Sequence, residues 1–207
     1  MKENVTLDKC LTFINCQLQP PDKPMPLQKD GVRRRAVTIS RLVGSGGHAV
    51  AVKLAEYLEA RAPGEKCPWT VFDRNIVEKV LEDHNLPKRL AHFMPEDRVS
   101  EASDIMDELF GLHPPSWTLV RQSAETILRL VELGNVIVIG RGSTVITRHL
   151  DYVFHVRLIG SVEKRAEYLQ KSNNISRRAA LAMIQNEDRG RARFLKKYFD
   201  AESGPGN

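Results

Sequence analysis

The chain has little cysteine: three residues, Cys10, Cys16 and Cys67, in 207. The number is odd and no two form a C-x-x-C pair, so the sequence predicts neither a disulfide framework nor a zinc site, and it favours a reducing compartment. No apolar run is long enough to span a bilayer, which predicts no membrane partner. The opening MKENVTLDKC lacks the basic-then-apolar order of a secretory signal, and the predicted location is the cytoplasm. Internal repeats are absent as well. The charge surplus is small. A formal +5 suits an anionic ligand but is too small to establish nucleic-acid binding, and most basic residues share their helices with acids, which reads as a solvated surface.

What is present reads as one globular domain with a small insert. Hydrophobic residues make up 42% of the chain, enough for a core. Residues 1–34 read as an extension. Its LTFINCQL segment, Leu11 to Leu18, is apolar enough to lie as a short helix or strand against the body, and a proline-rich linker follows. The consecutive Arg33, Arg34 and Arg35 are either a solubilising flank or a polyanion contact.

From Arg35 the pattern alternates. Arg35 to Ser40 is a β-branched apolar run, which marks a buried strand. A glycine loop comes next, then a helix with Val50, Leu54, Tyr57 and Leu58 at helical spacing, stopped by Pro63-Gly64. Trp69 to Phe72 is a second strand, ending at Asp73, and Asn75 to Glu82 a further helix. Residues 84–118 are irregular and read as a helical insert or lid. The next helix presents Val120, Ile127, Leu128 and Val131 on one face and ends at Gly134. Val136 to Ile139 is a third strand and Tyr152 to Leu158 a fourth. Ser161 begins one helix, and Ser176 caps a long basic helix reaching Phe199. Alternating strands and helices predict an α/β fold, a parallel sheet covered on both faces. Ligands of such sheets bind beyond the carboxyl ends of the strands, so the loops starting at Arg41, Asp73 and Gly140 carry the expected site.

Gly44-Ser45-Gly46-Gly47-His48-Ala49 fits G-x-G-x-x-[GA], and Asp73 stands where a ribose-binding acid would, so a dinucleotide-dependent oxidoreductase is one reading. The loop is long for that fold, since Arg41-Leu42-Val43 intervene between strand and glycine. A longer loop can wrap a phosphate chain in successive backbone N–H groups. The P-loop pattern G-x-x-x-x-G-K-[ST] is nevertheless incomplete: with Gly46 as its last glycine, Gly47 stands at the lysine and His48 at the hydroxyl position. Arg41 and His48 are the local cations that can substitute, set against readings of a surface ion pair and a solvent-facing helix start.

VTISRLVGSGG, WTVFDRNIVEKV, VIVIGRGSTVI, FHVRLIGSVEKRAEYL and NEDRGRARFLKKYF follow one another as in the cytidylate kinase-like family, which the chain resembles from Ala36 to Phe199. The lysine-free glycine loop is itself typical of that group. The resemblance implies a three-layer P-loop NTPase-like sheet with a helical insert at 84–118 and a basic lid helix at 176–199. It puts the domain at residues 35–200, with a tail at 201–207. It implies transfer of the ATP γ-phosphoryl group to a nucleoside monophosphate, CMP or dCMP first, with Mg2+.

Under that resemblance Gly44, Ser45, Gly46, Gly47 and His48 hold the ATP phosphates. Asp73 and Arg74 open the monophosphate-binding segment, and Arg121 resembles a monophosphate-binding arginine. Gly140-Arg141-Gly142 resembles a Gly-Arg-Asp motif whose arginine and aspartate hold the pyrimidine nucleotide. Arg141 matches it; Gly142 replaces the aspartate. Arg41, Arg189 and Arg193 are the catalytic candidates. The last two stand four apart on one face of the lid, with Arg191 pointing elsewhere, although the same helix also reads as a solvated face paired with Glu187 and Asp188. Arg165 is a further phosphate candidate. The family continues past the lid into a final strand that is missing here. Either the N-terminal segment compensates, or the sheet is incomplete, or the chain is a truncated product. Gly47, Gly142 and that short C-terminus also suit a nucleotide-binding regulatory protein without turnover.

Overall fold

The computed structural model describes residues 2–18, 35–61, 67–73, 105–106, 118–140 and 142–201. The helix expected at 75–82 and nearly all of the insert at 84–118 lie outside them. Of the insert, Ile105 and Met106 are described, buried in the core, and Thr118 opens a helix.

Four strands form one parallel sheet: β1 (Ala36–Arg41), β2 (Thr70–Phe72), β3 (Val136–Ile139) and β4 (Val153–Leu158), in the order β2-β3-β1-β4. All four lie where the apolar runs predicted them. β1 runs one residue further than expected, ending on Arg41 rather than Ser40. In register, Ile39 stands beside Ile139 and Val156, and Ser40 beside Arg157.

Helices cover both faces. On one, α2 (Gly47–Arg61) sets Ala51 and Ala55 against Val37, Ile39, Val71, Ile137 and Ile139. Small residues on the helix let it approach the strands closely. On the other lie α1 (Lys2–Leu18), α3 (Thr118–Leu133) and the short α4 (Ser143–Ile146). Here Ile127, Leu128, Leu130 and Val131 of α3 meet Val136 and Val138, which alternate with the α2-facing residues as a pleated strand requires. α5 (Val162–Asn173) and α6 (Arg177–Phe199) follow β4, capped by Ser161 Oγ accepting from the Lys164 N–H and Ser176 Oγ from the Ala179 N–H.

α1 is longer than the Leu11–Leu18 segment suggested and is joined to the core. Cys10, Phe13 and Ile14 are fully buried, and Phe13 meets Phe72 edge-on with centroids 5.9 Å apart, a contact worth about 0.5–1.5 kcal/mol beyond its buried area. The expectation of no disulfide is overturned. Cys16 and Cys67 are disulfide-bonded, with Cα atoms 6.0 Å apart. Packing of α1 beside β2 brings together two cysteines 51 residues apart, which spacing alone does not reveal. Cys10 is the free, buried third.

Candidate functional site

The loop after β1 is built around two tight constraints. The Leu42 N–H still donates to the Leu158 carbonyl at 3.0 Å, so the chain leaves the sheet only after Leu42. Its own carbonyl then accepts from the Ser45 N–H at 3.3 Å and from Ser45 Oγ at 2.8 Å, closing a turn. Gly44 has φ +76, and a β-carbon there would lie 2.6 Å from the Arg165 carbonyl oxygen, so both backbone and space demand glycine. α2 starts at Gly47, and its first turn closes with the Val50 N–H on the Gly46 carbonyl at 2.9 Å. The N–H groups of Gly47, His48 and Ala49 precede that bond and face outward from the helix start, where the helix dipole also favours an anion.

Arg41 ends β1 and lies along this loop. Its Cγ sits 3.1 Å from where a Gly47 β-carbon would be, and its Cζ 2.9 Å from where one would be at Gly140. The two glycines thus make room for one arginine, stem on the loop and guanidinium at the end of β3. On the far side of α2's first turn, His48 Nδ1 stands 3.8 Å from Asp73 Oδ2, an ion pair when the imidazole is protonated. Arg41, Gly44 to His48, Asp73 and Gly140 therefore share one edge of the sheet.

A second set of residues fastens the loop from behind. The Val43 N–H donates to Asp188 Oδ1 at 2.9 Å, and the Val43 carbonyl accepts from Arg165 at 3.2 Å. Arg165 also donates to Asp188 Oδ2 at 2.6 Å, closing a ring around a single peptide unit. The guanidinium is almost fully buried, with 7% of its side chain exposed. Arg165, a further phosphate candidate from its place in the sequence, is committed to Val43 and Asp188.

Arg189 and Arg193 share a face of α6, as their spacing predicts, and that face is the outward one, whereas Asp188 and Arg191 turn inward and Arg191 donates to Asp188 at 3.4 Å. Ile184, Asp188, Arg191 and Leu195 make the inner stripe, at offsets of four, seven and eleven. The apolar members of that stripe were the signal that could have found it. Arg121 is exposed on the first turn of α3. Arg74 and Arg141 lie outside the described residues. Gly142, which replaces the aspartate of the Gly-Arg-Asp pattern, has φ +76 and packs under Phe199, whose Cε2 lies 2.6 Å from where a β-carbon would be. A ring from the end of α6 now fills the space an aspartate stem would need.

A model of the cytidylate kinase-like family matches residues 36–205. The chain belongs to the cytidylate kinase-like family. Membership carries a nucleotide kinase-like role, and the glycine loop, Asp73 and α6 fall within the matched residues of this kinase-like protein. Among solved structures, it is similar to the crystal structure of an uncharacterized protein from Eubacterium ventriosum, with 17% identity and a TM-score of 0.52, over 83% of this chain and 81% of that one. At that identity the likeness concerns the fold, a P-loop-like α/β sheet. No curated protein matches it. Among the described residues, no helix is long and apolar enough to cross a membrane.

Proposed function

We propose that the protein transfers the γ-phosphoryl group of ATP to a nucleoside monophosphate, with CMP and dCMP the first candidates. The observation that carries this reading is Arg41 lying on Gly47. The position that lacks a lysine is covered by the stem of an arginine whose guanidinium lies at Gly140, at the neighbouring strand end. The N–H groups at the start of α2 suit the phosphate chain, and Arg41 adds the forked, permanently charged donor that suits phosphate oxygens. Phosphoryl transfer of this kind is catalysed chiefly by positioning and charge neutralisation.

In the reaction an acceptor phosphate oxygen attacks the γ-phosphorus as its bond to the bridging oxygen breaks, releasing ADP. Arg41 would stabilise charge on the transferring group, and His48 and Asp73 would border the acceptor side with Arg74, Arg121 and Arg141. Arg189 and Arg193, exposed on α6, would reach the phosphates only if that helix closes further. Mg2+ usually binds through one or two carboxylates together with substrate phosphates; Asp73, 3.8 Å from His48 at the start of α2, is a candidate.

Coupled measurement of ADP release, with Mg2+ and a panel of CMP, dCMP, UMP, AMP and GMP, tests the proposal. Turnover on at least one acceptor is expected. Folded protein that binds ATP but turns over none of them would establish the regulatory reading, which Gly47 and the ring over Gly142 also favour.

A further inference from the structure

Helix α1 is fastened to β2 and the segment leading into it through one side of the helix, at Cys10, Phe13 and Cys16. The Cys10 thiol donates to the Val71 carbonyl at 3.4 Å, Phe13 meets Phe72 edge-on, and Cys16 is disulfide-bonded to Cys67, just before the strand begins. The last of these contacts is covalent, and it is reversible. β2 stands at one end of the sheet order and runs into Asp73, which lies 3.8 Å from His48 at the start of α2. We propose that the Cys16–Cys67 disulfide is a redox latch: oxidised, it keeps α1 docked on β2, and reduction by a dithiol releases α1. The proposal concerns α1 and does not rest on the kinase reading.

Three observations point to a switch rather than a fixed brace. First, one sulfur is within reach of solvent. Cys16 is half-buried, whereas Cys67 is 4% exposed, so a thiolate can attack Cys16 Sγ. Exposed disulfides are the ones that exchange readily in folded proteins. Second, β2 has other anchors. The Cys67 carbonyl accepts from Asn135 Nδ2 at 3.1 Å, and the Thr70 N–H donates to the Asn135 carbonyl at 3.0 Å. Cutting the disulfide therefore leaves β2 on β3, and α1 is the element set free. Third, the docking of α1 is finely balanced. Burial of Phe13 and Ile14 contributes about 1.5–3 kcal/mol each. Against it stands the ordering of a 17-residue segment, at about 1–2 kcal/mol per residue, which helical hydrogen bonds offset only in part. A cross-link worth up to about 4 kcal/mol is of the same size as the apolar contacts, and so decides whether α1 stays docked.

The chemistry is thiol–disulfide exchange. One thiolate of the dithiol attacks Cys16 Sγ and forms a mixed disulfide there, while the Cys16–Cys67 bond breaks and Cys67 leaves as a thiolate that takes up a proton. The second thiolate of the reductant displaces Cys16, which is protonated in turn. Two electrons and two protons pass to the protein, and the reductant ends as a disulfide. Release of α1 uncovers Cys10, Phe13 and Ile14 on the helix and Phe72 on the strand, all fully buried while the latch is closed, and Phe72 adjoins Asp73.

Amide hydrogen exchange of the full chain, read by mass spectrometry before and after incubation with dithiothreitol at neutral pH without denaturant, tests the proposal. Thiol alkylation reports the fraction reduced. In the oxidised protein the amides of residues 10–16 are expected to be protected. On reduction they should exchange about tenfold faster or more, while the amides of β3 and β4 keep their protection. Re-oxidation should restore the slow rates. A double variant, Cys16→Ser with Cys67→Ser, should exchange like the reduced protein whether or not dithiothreitol is present. A bond that yields to the dithiol only in denaturant overturns the proposal, because it is then a fixed brace. Reduction that leaves α1 protected overturns it too, since the apolar contacts then suffice. So does reduction that speeds exchange equally throughout the chain, since the bond then serves global stability. No turnover is read in this experiment, so the kinase reading stands or falls separately.

Discussion

The side chain of Arg41 rests on Gly47, its Cγ 3.1 Å from where a β-carbon would sit. The loop that lacks a lysine thus has laid across it the stem of an arginine from the strand leading into it, with the guanidinium at Gly140. If Arg41 neutralises the transferring phosphate, Arg41→Gln should lower kcat by about a hundredfold or more, the scale of losing one preorganised donor to a transition state. Arg41→Lys should recover part of that, since it restores charge without the fork. Steady-state kinetics on both variants, with ATP affinity measured alongside, checks this. An Arg41→Gln enzyme with unchanged kcat would remove Arg41 from the mechanism.

The ring formed by Val43, Asp188 and Arg165 makes a different prediction. Asp188 and Arg165 bind the loop through the Val43 backbone N–H and carbonyl. Asp188→Asn leaves a buried guanidinium without its counter-charge, and breaking a buried pair in this way costs about 3 kcal/mol or more. Chemical denaturation should register the loss, and ATP affinity should fall with it because Val43 no longer holds its peptide in place. Replacing both partners, Arg165→Met with Asp188→Leu, should be less damaging than Asp188→Asn alone. Equal or greater damage in the double variant would mean that the pair's charges are not what matters.

Gly142 and Phe199 are coupled by contact. A methyl at Gly142 meets the ring at 2.6 Å and is held at a left-handed φ, so Gly142→Ala should destabilise by about 1–3 kcal/mol. Phe199→Ala opens space in the main core and should cost about 3 kcal/mol or more by itself. The double variant should lose clearly less than the sum, because removing the ring makes room for the methyl. Additive losses in a double-mutant cycle would show that strain at φ +76, not the ring, sets the requirement for glycine.

The parts of this fold that were legible in sequence are those specified locally. Val136 to Ile139 announces a buried strand by four β-branched residues running into glycine, and Ser161 and Ser176 announce helix starts because their hydroxyls fit the free N–H groups there. The glycine loop was legible for the same reason. What was hidden depends on partners distant in the chain. Among its described side chains, α1 turns Cys10, Phe13 and Ile14 fully inward, and their reason for doing so is β2, some sixty residues on. The spacing of Arg189 and Arg193 described a face, but not which face was inside. That was fixed by Ile184 and Leu195, with Asp188 and Arg191 between them. The odd cysteine count concealed the Cys16–Cys67 pair because parity says nothing about which thiols meet.

That pair closes a loop of 51 residues, for which chain entropy gives a stabilisation of up to about 4 kcal/mol. Reduction, or Cys16→Ser, should lower the unfolding free energy by a comparable or smaller amount. Denaturant unfolding with and without dithiothreitol measures it. An unchanged midpoint would mean that α1 is held by its apolar contacts alone.

Cys10 should make stability depend on pH at the alkaline end. Its thiol is pushed up from an ordinary 9.0 to about 12, first by burial and second by the negative charge of Asp73. Its hydrogen bond to the Val71 carbonyl, at 3.4 Å, also needs the proton in place. Below pH 9 the thiol is protonated in both folded and unfolded chains, so its contribution is fully present. As pH rises from 9 towards 12 the unfolded chain gives up the proton and the folded one keeps it, so stability falls by about 1.4 kcal/mol per pH unit. Other groups titrate in this range too, so the decisive comparison is with Cys10→Ala. That variant should start less stable at pH 8 and lose less stability by pH 10.5. Parallel pH profiles for the two proteins would mean that the Cys10 thiol ionises as readily folded as unfolded, and so that the contact of α1 with β2 admits water.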